Sequence, residues 1–395
     1  MTGLLAIRDK DNSYLRTVVH VLTIIFAAVI PLSNSMTTIV SLLVAIACAL
    51  YIDRANFIVI IKHPVTIAIL IFIALNIIGV SYSMAAKDEI YQALRKYTRL
   101  LYFPLLLPLF YQSHWRHAAI ITFVAAVLVS VLAALNAQML VFKDSIFTSL
   151  FVAFAIFILA HYTYDYKRYR LLTIPLISLF SYYLFFINIG RIGQLVFIML
   201  FVLFAWQRVR HTIKNQILTV SSLLLIVIGS MVFPSSFMAR QNVAFQEIDQ
   251  YIKNDVVPHE SSIGTRLILA QNSLQLIKLK PWFGFGTGSF GAAYAEYANE
   301  KTSKEPRVNP HNQYLLEWVE LGILGILSLL YLLWSLTSTF IDSKSTHGYL
   351  GIGLVLALAV GCCFNSWLLD FTSAFFFIFF AAVFASGISE QKISH

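Results

Sequence analysis

The chain alternates long apolar blocks with short polar hinges. The blocks lie near 18–32, 36–52, 64–82, 97–112, 116–137, 145–164, 170–188, 191–207, 215–233, 312–341, 346–366 and 369–387. They approach or exceed the roughly 18–20 residues that carry a helix across a bilayer. The pattern predicts an all-α, polytopic integral membrane protein with about twelve transmembrane helices. One long polar interruption divides it. Residues 1–233 form an N-terminal transmembrane bundle of about nine spans, 234–311 a loop, and 312–395 the C-terminal transmembrane helices.

Composition agrees with this class. The chain is 59% hydrophobic and 12% charged, where soluble domains are about half apolar and about a quarter charged. No A-x-A cleavage signal follows the first apolar run and further spans come after it, so that run is expected to be retained. Cys48, Cys362 and Cys363 fall inside expected spans without disulfide or zinc spacing, and are expected to be packing residues.

Charge sets the orientation. Arg54, Lys62, Lys167, Arg168, Arg170, Arg208, Arg210 and Lys214 all lie in short hinges on the N-terminal side of an alternating path. Short loops rich in Lys and Arg stay in the cytoplasm. The loop 234–311 then faces outward. Its 78 residues exceed the ordinary loop length of about 12–15 residues, which favours a functional element.

Some basic residues fall on the outer side against this bias. In "KDEIYQALRKYTRLLYFPLL", Lys87 and Lys96 read as side chains reaching to head groups. Arg95 and Arg99, four apart on one helix face, either do the same or meet an anionic partner. Arg191 lies among Asn188, Gly190, Gly193 and Gln194 in an otherwise apolar stretch. A charge at that depth points to function.

The outer loop has its own organisation. Ser261 and Ser262 are N-cap types, apolar residues recur at Ile263, Leu267, Leu274 and Ile277, and Lys278, Lys280 and Pro281 mark an end. An amphipathic helix is expected there, on the membrane face or against the spans, with Arg266 in its first turns. "GFGTGSF", 284–290, has no strand–helix unit around it and reads as a tight turn rather than a nucleotide loop. Then comes "RVNPHNQYLLEWVELGILGIL", 307–327. Pro310 suits a first helical turn, which puts His311 at the outer mouth of the next span. Asn312, Gln313 and Glu317 follow it as possible acceptor-binding or supporting residues.

Arginines without a metal site fit a diphosphate, and a histidine fits proton removal near neutral pH. "DKD", 9–11, lies far from these residues and reads as surface charge. Together the outer residues describe a hydroxyl attacking a carbon whose leaving group is a diphosphate. In an outer leaflet that donor is a polyisoprenyl-diphosphate sugar.

These stretches resemble a known family. "RVNPHNQYLLEWVELGILGILSLL", "GTRLILAQNSLQLIKLKPWFGFGTGSF" and "GRIGQLVF" are similar, in that reversed order along the chain, to motifs of the O-antigen ligase and O-antigen polymerase superfamily. The resemblance covers roughly residues 180–335. It implies a twelve-helix glycosyltransferase of the Gram-negative inner membrane, with its active site facing the periplasm. It implies an undecaprenyl-diphosphate-linked glycan as donor, and neither metal nor other cofactor. His311 would be the base, and Arg191 and Arg266 the diphosphate ligands, with Arg95 and Arg99 as further candidates. The ligase reading has lipid A–core as acceptor and membrane lipids around it, with no nucleic-acid partner. A polymerase and a protein O-oligosaccharyltransferase share the motif. A transporter or flippase is the more distant alternative, although intramembrane carboxylates and repeated halves, common in such proteins, are not evident.

Overall fold

The computed structural model describes residues 13–52, 54–136, 144–209, 221, 242, 262–297 and 309–393. Among these the secondary structure is helical throughout, without a strand. Nine helices among the described residues are long and apolar enough to cross a membrane: they begin at Tyr14, Asn34, Pro64, Ser113, Ser145, Lys167, Arg191, Gln313 and Phe371.

Three of the twelve expected spans fall outside this set. The block 346–366 forms a shorter helix of 17 residues, Thr346–Cys362. The block 97–112 is not one helix at all. It runs as the short turns Thr98–Leu101, Tyr102–Leu106 and Leu107–Phe110. Pro104 and Pro108 explain this, since each lacks an amide hydrogen and crowds the preceding turn. Leu100, Phe103, Leu106, Leu107, Leu109 and Phe110 are all buried, as irregular backbone at membrane depth must be. Apart from the single positions 221 and 242, the block 215–233 and the loop segment 234–261 lie outside the described residues, as does the "DKD" at 9–11.

The helices surround Phe371–Ile393. Of its span Phe371–Ile388, 94% is buried in the protein, against 28% of Lys167–Ile187. Lipid is as apolar as leucine, so helix association in a membrane relies on close packing. Here phenylalanines supply it. Phe380 meets Phe123 edge-on at 4.7 Å, Phe376 meets Phe154 at 5.3 Å and Phe375 meets Phe26 at 5.4 Å. Such pairs contribute about 0.5–1.5 kcal/mol each beyond their area.

Hydrogen bonds define the two ends of the bundle. Asp165, Arg208 and Thr346 meet at one end. The helix Ser145–Asp165 begins at the other, where a Cβ on Gly190 would lie 2.5 Å from the Ser145 carbonyl oxygen. The segments 309–312 and 363–366 touch each other through Asn312 and Cys363.

The segment after Ser262 folds against the spans. Helix Ser262–Leu279 buries Leu269, Leu276 and Ile277 with Phe285, Phe290, Tyr294, Leu316 and Val319. The expected amphipathic pattern is not what forms. Asn272 and Ser273 are also buried, while Leu267, Leu274 and Leu279 are exposed. Asn272 tolerates burial because it donates to the Tyr294 hydroxyl at 2.8 Å. Tertiary contacts, rather than a segregated apolar stripe, hold this helix.

The glycine turn docks on a break in the next helix. Gln313–Phe340 is interrupted at Gly322, where φ is 64° and a Cβ would meet the Trp282 carbonyl at 2.3 Å. The break exposes carbonyls that a continuous helix would satisfy. The turn supplies their partners: Phe285 N donates to Val319 O at 3.0 Å and Gly286 N to Glu320 O at 2.7 Å. Gly284, Gly286 and Gly288 all have positive φ, which lets the backbone approach this closely. Glu320 completes the junction by accepting from Gly288 N at 2.9 Å and Phe290 N at 3.4 Å, at the start of a short helix, Phe290–Tyr297, which the sequence pattern had not indicated.

Candidate active site

The helix mouth around His311 is built by asparagines. Asn312, not Pro310, caps the helix: its side chain accepts from Leu315 N at 3.0 Å. His311 therefore precedes the helix and adopts φ 51°, the one positive φ outside glycine among the described residues. That conformation costs about 1–3 kcal/mol for an ordinary residue. It is held by Asn309, whose Oδ1 accepts from His311 N and from Ser366 Oγ, both at 2.8 Å. Asn312 Nδ2 donates to Cys363 O at 3.0 Å. The ring Nδ1 of His311 lies 3.2 Å from Asn365 Oδ1.

Arg191 opens helix Arg191–Phe204. The preceding chain turns sharply because Asn188 Oδ1 accepts from Gly190 N at 2.6 Å. Gln194 Nε2 donates to Leu184 O at 3.0 Å, tying the new helix to the old one. A Cβ on Gly193 would lie 2.2 Å from Ser149 Oγ, so glycine lets the helices Arg191–Phe204 and Ser145–Asp165 touch.

Four distant parts of the chain then line one cavity of about 480 Å³: Arg191 with Ile192 and Leu195, Arg266 with Leu267 and Ala270, His311 with Pro310 and Asn312, and Cys363 with Phe364. Its wall is mostly apolar, and none of its described lining residues is acidic. Burial lowers the pKa of Arg266, and the charge of Arg191 lowers it further. Two guanidinium charges thus face each other in a partly desolvated space, and an anion between them relieves both the burial and the repulsion.

Other candidates from the sequence lie elsewhere. Arg95 is exposed, and neither it nor Arg99 lines the cavity. Arg99 instead donates to Leu369 O at 3.0 Å and sits 5.0 Å over the Phe371 ring. Gln313 and Glu317 are buried one turn beneath the mouth. Tyr97 donates to Glu317 Oε1 at 2.5 Å, Gln313 Nε2 donates to the same oxygen at 2.7 Å, and Gln313 Oε1 accepts from Leu368 N at 3.1 Å. These residues brace the helix and the 363–370 loop from inside.

The loop between the last two helices was not read as part of the site. Cys363 was expected to be a packing residue, yet it lies just past Thr346–Cys362, exposed and in the cavity wall. Asn365 was not singled out either. The signal that was present is the polar pair Asn365 and Asp370 in "NSWLLDF", at the same outer level as His311. Among the described residues, no group of three or more His, Cys, Asp or Glu is placed to hold a metal ion.

Residues 176–330 match the family model described as O-Antigen ligase. The chain carries a domain of the O-antigen ligase superfamily. Arg191, Arg266 and His311 all fall within the O-antigen ligase match, whereas the 363–370 loop and the arginines at 95 and 99 fall outside it. The matched segment sits among helices long and apolar enough to cross a membrane, as expected of a multi-pass membrane protein. An uncharacterized protein of Haemophilus influenzae is 25% identical over 139 residues, which is 34% of this chain and 34% of that protein. The match therefore spans about a third of the relative's length.

Proposed function

We propose that the protein is an O-antigen ligase of the Gram-negative inner membrane, transferring a glycan from undecaprenyl diphosphate to lipid A–core at the periplasmic face. The observation that carries this reading is the convergence of Arg191, Arg266 and His311 on one cavity. The two arginines bind the donor diphosphate through planar, charge-assisted forks. The apolar wall, Ile192, Leu195, Leu267 and Phe364, takes the adjoining isoprenoid. His311 accepts the proton of the acceptor hydroxyl as its oxygen attacks the anomeric carbon. The new C–O bond forms as the bond to the diphosphate breaks, and undecaprenyl diphosphate leaves with its charge held by the arginines. Direct displacement of this kind inverts the anomeric centre.

The test is single-turnover transfer by purified protein at saturating donor and acceptor, followed against pH. General-base assistance contributes about 10²–10⁴ in rate. His311→Gln keeps hydrogen bonding without basicity, so it should lose that factor together with one ionisation in the profile. A glutamine variant within a few-fold of wild type, with the same profile, would sink the base assignment. Product that extends the donor glycan instead of joining lipid A–core would make the protein a polymerase.

A further inference from the structure

We propose that Asn365, anchored by Asp370, is a positioning residue that holds the His311 imidazole in the tautomer with its hydrogen on Nδ1. The inference rests on the reading of His311 as proton acceptor. Asn365 and Asp370 lie outside the family-matched segment 176–330.

The two ends of an amide are ordinarily hard to tell apart, and the surrounding hydrogen bonds must decide. Here two independent partners decide alike. One end lies 2.6 Å from Asp370 Oδ2, and an ionised carboxylate only accepts, so that end is the NH₂. The other end lies 2.9 Å from Ser366 N, which only donates, so that end is the carbonyl oxygen. The same oxygen faces His311 Nδ1 at 3.2 Å. A carbonyl oxygen cannot donate, so this contact is a hydrogen bond only when Nδ1 carries the hydrogen. In a neutral ring that leaves the lone pair on Nε2.

The support is rigid on both sides. Asn309 grips His311 N and Ser366 Oγ together, and Arg99 grips Leu369 O and stacks on Phe371 next to Asp370. The charges around the chain of bonds are Lys96, Arg99 and Asp144, which act on Asp370, and Arg191 and Arg266, which share the cavity with His311 and the Cys363 thiol. When Nε2 takes the acceptor's proton, Nδ1–H becomes a stronger donor. The Asn365 carbonyl, polarised through its NH₂ by Asp370, is then a stronger acceptor. An amide does not take the proton, so the charge stays on the ring, ready to be returned to solvent.

The experiment uses full-length protein in lipid nanodiscs, labelled with ¹⁵N-histidine. The His311 ring signals are those that vanish in His311→Gln. Above its titration the wild-type ring should show the Nδ1–H form. Asn365→Asp, whose carboxylate still accepts, should keep it. Asn365→Leu should lose the preference, and its kcat for transfer should fall about tenfold to a hundredfold, the scale of a misplaced reacting group, with the donor KM unchanged. Asp370→Asn leaves Ser366 N as the one remaining partner that orients the Asn365 amide, so it should weaken the preference, and it covers failure of the leucine variant to fold. A merely structural role would reduce the amount of folded protein and leave the tautomer in it unchanged. An Nε2–H ring in the wild type overturns the proposal, as does a wild-type tautomer in both Asn365→Leu and Asp370→Asn. If the tautomers behave as expected while His311→Gln transfers at the wild-type rate, the positioning assignment stands and the base reading falls.

Discussion

Arginine meets histidine at both ends of this bundle, with opposite consequences. At one end Arg208 is enclosed by partners. It donates to Asp165 at 2.8 Å, to His161 Nδ1 at 3.0 Å and to Thr346 at 3.3 Å, and lies 4.4 Å over the Tyr349 ring. Thr346 in turn donates to Asp165. A guanidinium so neutralised ties three helices together. At the other end Arg191 and Arg266 face each other across a cavity whose described lining has no carboxylate, with His311 on the third wall. A charge met by its counter-charge is structural. On the proposed function, the two cavity arginines instead take an anion from outside.

The largest effect expected from this contrast is on transfer. Arg191→Lys and Arg266→Lys should each lower the rate by about 10²–10³, the loss typical of one transition-state charge contact, because an ammonium cannot reproduce a bidentate fork. The rate is measured at subsaturating donor. Wild-type rates in both lysine variants would erase the contrast between the two ends.

Next in size is blockade from outside. Cys363 is exposed in the cavity wall, whereas Cys48 and Cys362 are buried. A membrane-impermeant maleimide applied to cells with a permeabilised outer membrane should label Cys363 and cut transfer at least about tenfold, since a bulky adduct displaces the reacting groups. Cys363→Ser should resist both. Labelling only after the inner membrane is opened would reverse the orientation of the whole bundle.

At the opposite end the effect should move from rate to stability. Arg208→Met strands Asp165, and should cost about 1–3 kcal/mol, the scale of a lost hydrogen bond to a charged group. Thermal unfolding in detergent reads this, and transfer per folded molecule should be unchanged. Adding Asp165→Asn should recover part of the loss, because the stranded charge is then gone. A fall in specific activity equal to that of the cavity arginines would make the two ends functionally alike.

The smallest expected effect is none. If the cavity arginines hold the diphosphate as proposed, they supply the positive charge that a divalent ion would otherwise supply, so chelation of divalent ions should leave the transfer rate of purified protein unchanged. Loss restored by a single divalent ion would add a metal to the cavity.

The sequence displayed the cavity's charged residues but not its framing. Arg191 was legible because it is charged in an otherwise apolar stretch, and Arg266 and His311 because the loop that carries them is long. Arg95 and Arg99 gave the same signal for a different reason. Arg99 braces the 363–370 loop through Leu369 and Phe371, and nothing in its local sequence separates that task from anion binding. Glu317 looked like part of a polar mouth, yet it is buried behind Tyr97 and Gln313. Asn365 gave almost no signal, because its place depends on a loop 54 positions from His311 folding back to meet it.

By itself the sequence determined the helical class and the position of most helices, since long apolar blocks in a bilayer must satisfy their own backbone. The block 97–112 reads as one span by its hydropathy, and only the structure showed that the stretch holding Pro104 and Pro108 is broken into short pieces. Only the tertiary structure decided which span lies at the centre. Phe371–Ile388 and Lys167–Ile187 have mean hydropathies of 2.1 and 1.7, yet one is 94% buried and the other 28%. Both lipid and protein interior favour apolar side chains, so hydropathy records exclusion from water and is nearly blind to the difference between them. The left-handed backbone at His311, the break at Gly322 and the meeting of Arg191 with Arg266 were likewise decided by packing. Each depends on what a distant segment presses against it, and no local pattern of residues carries that information.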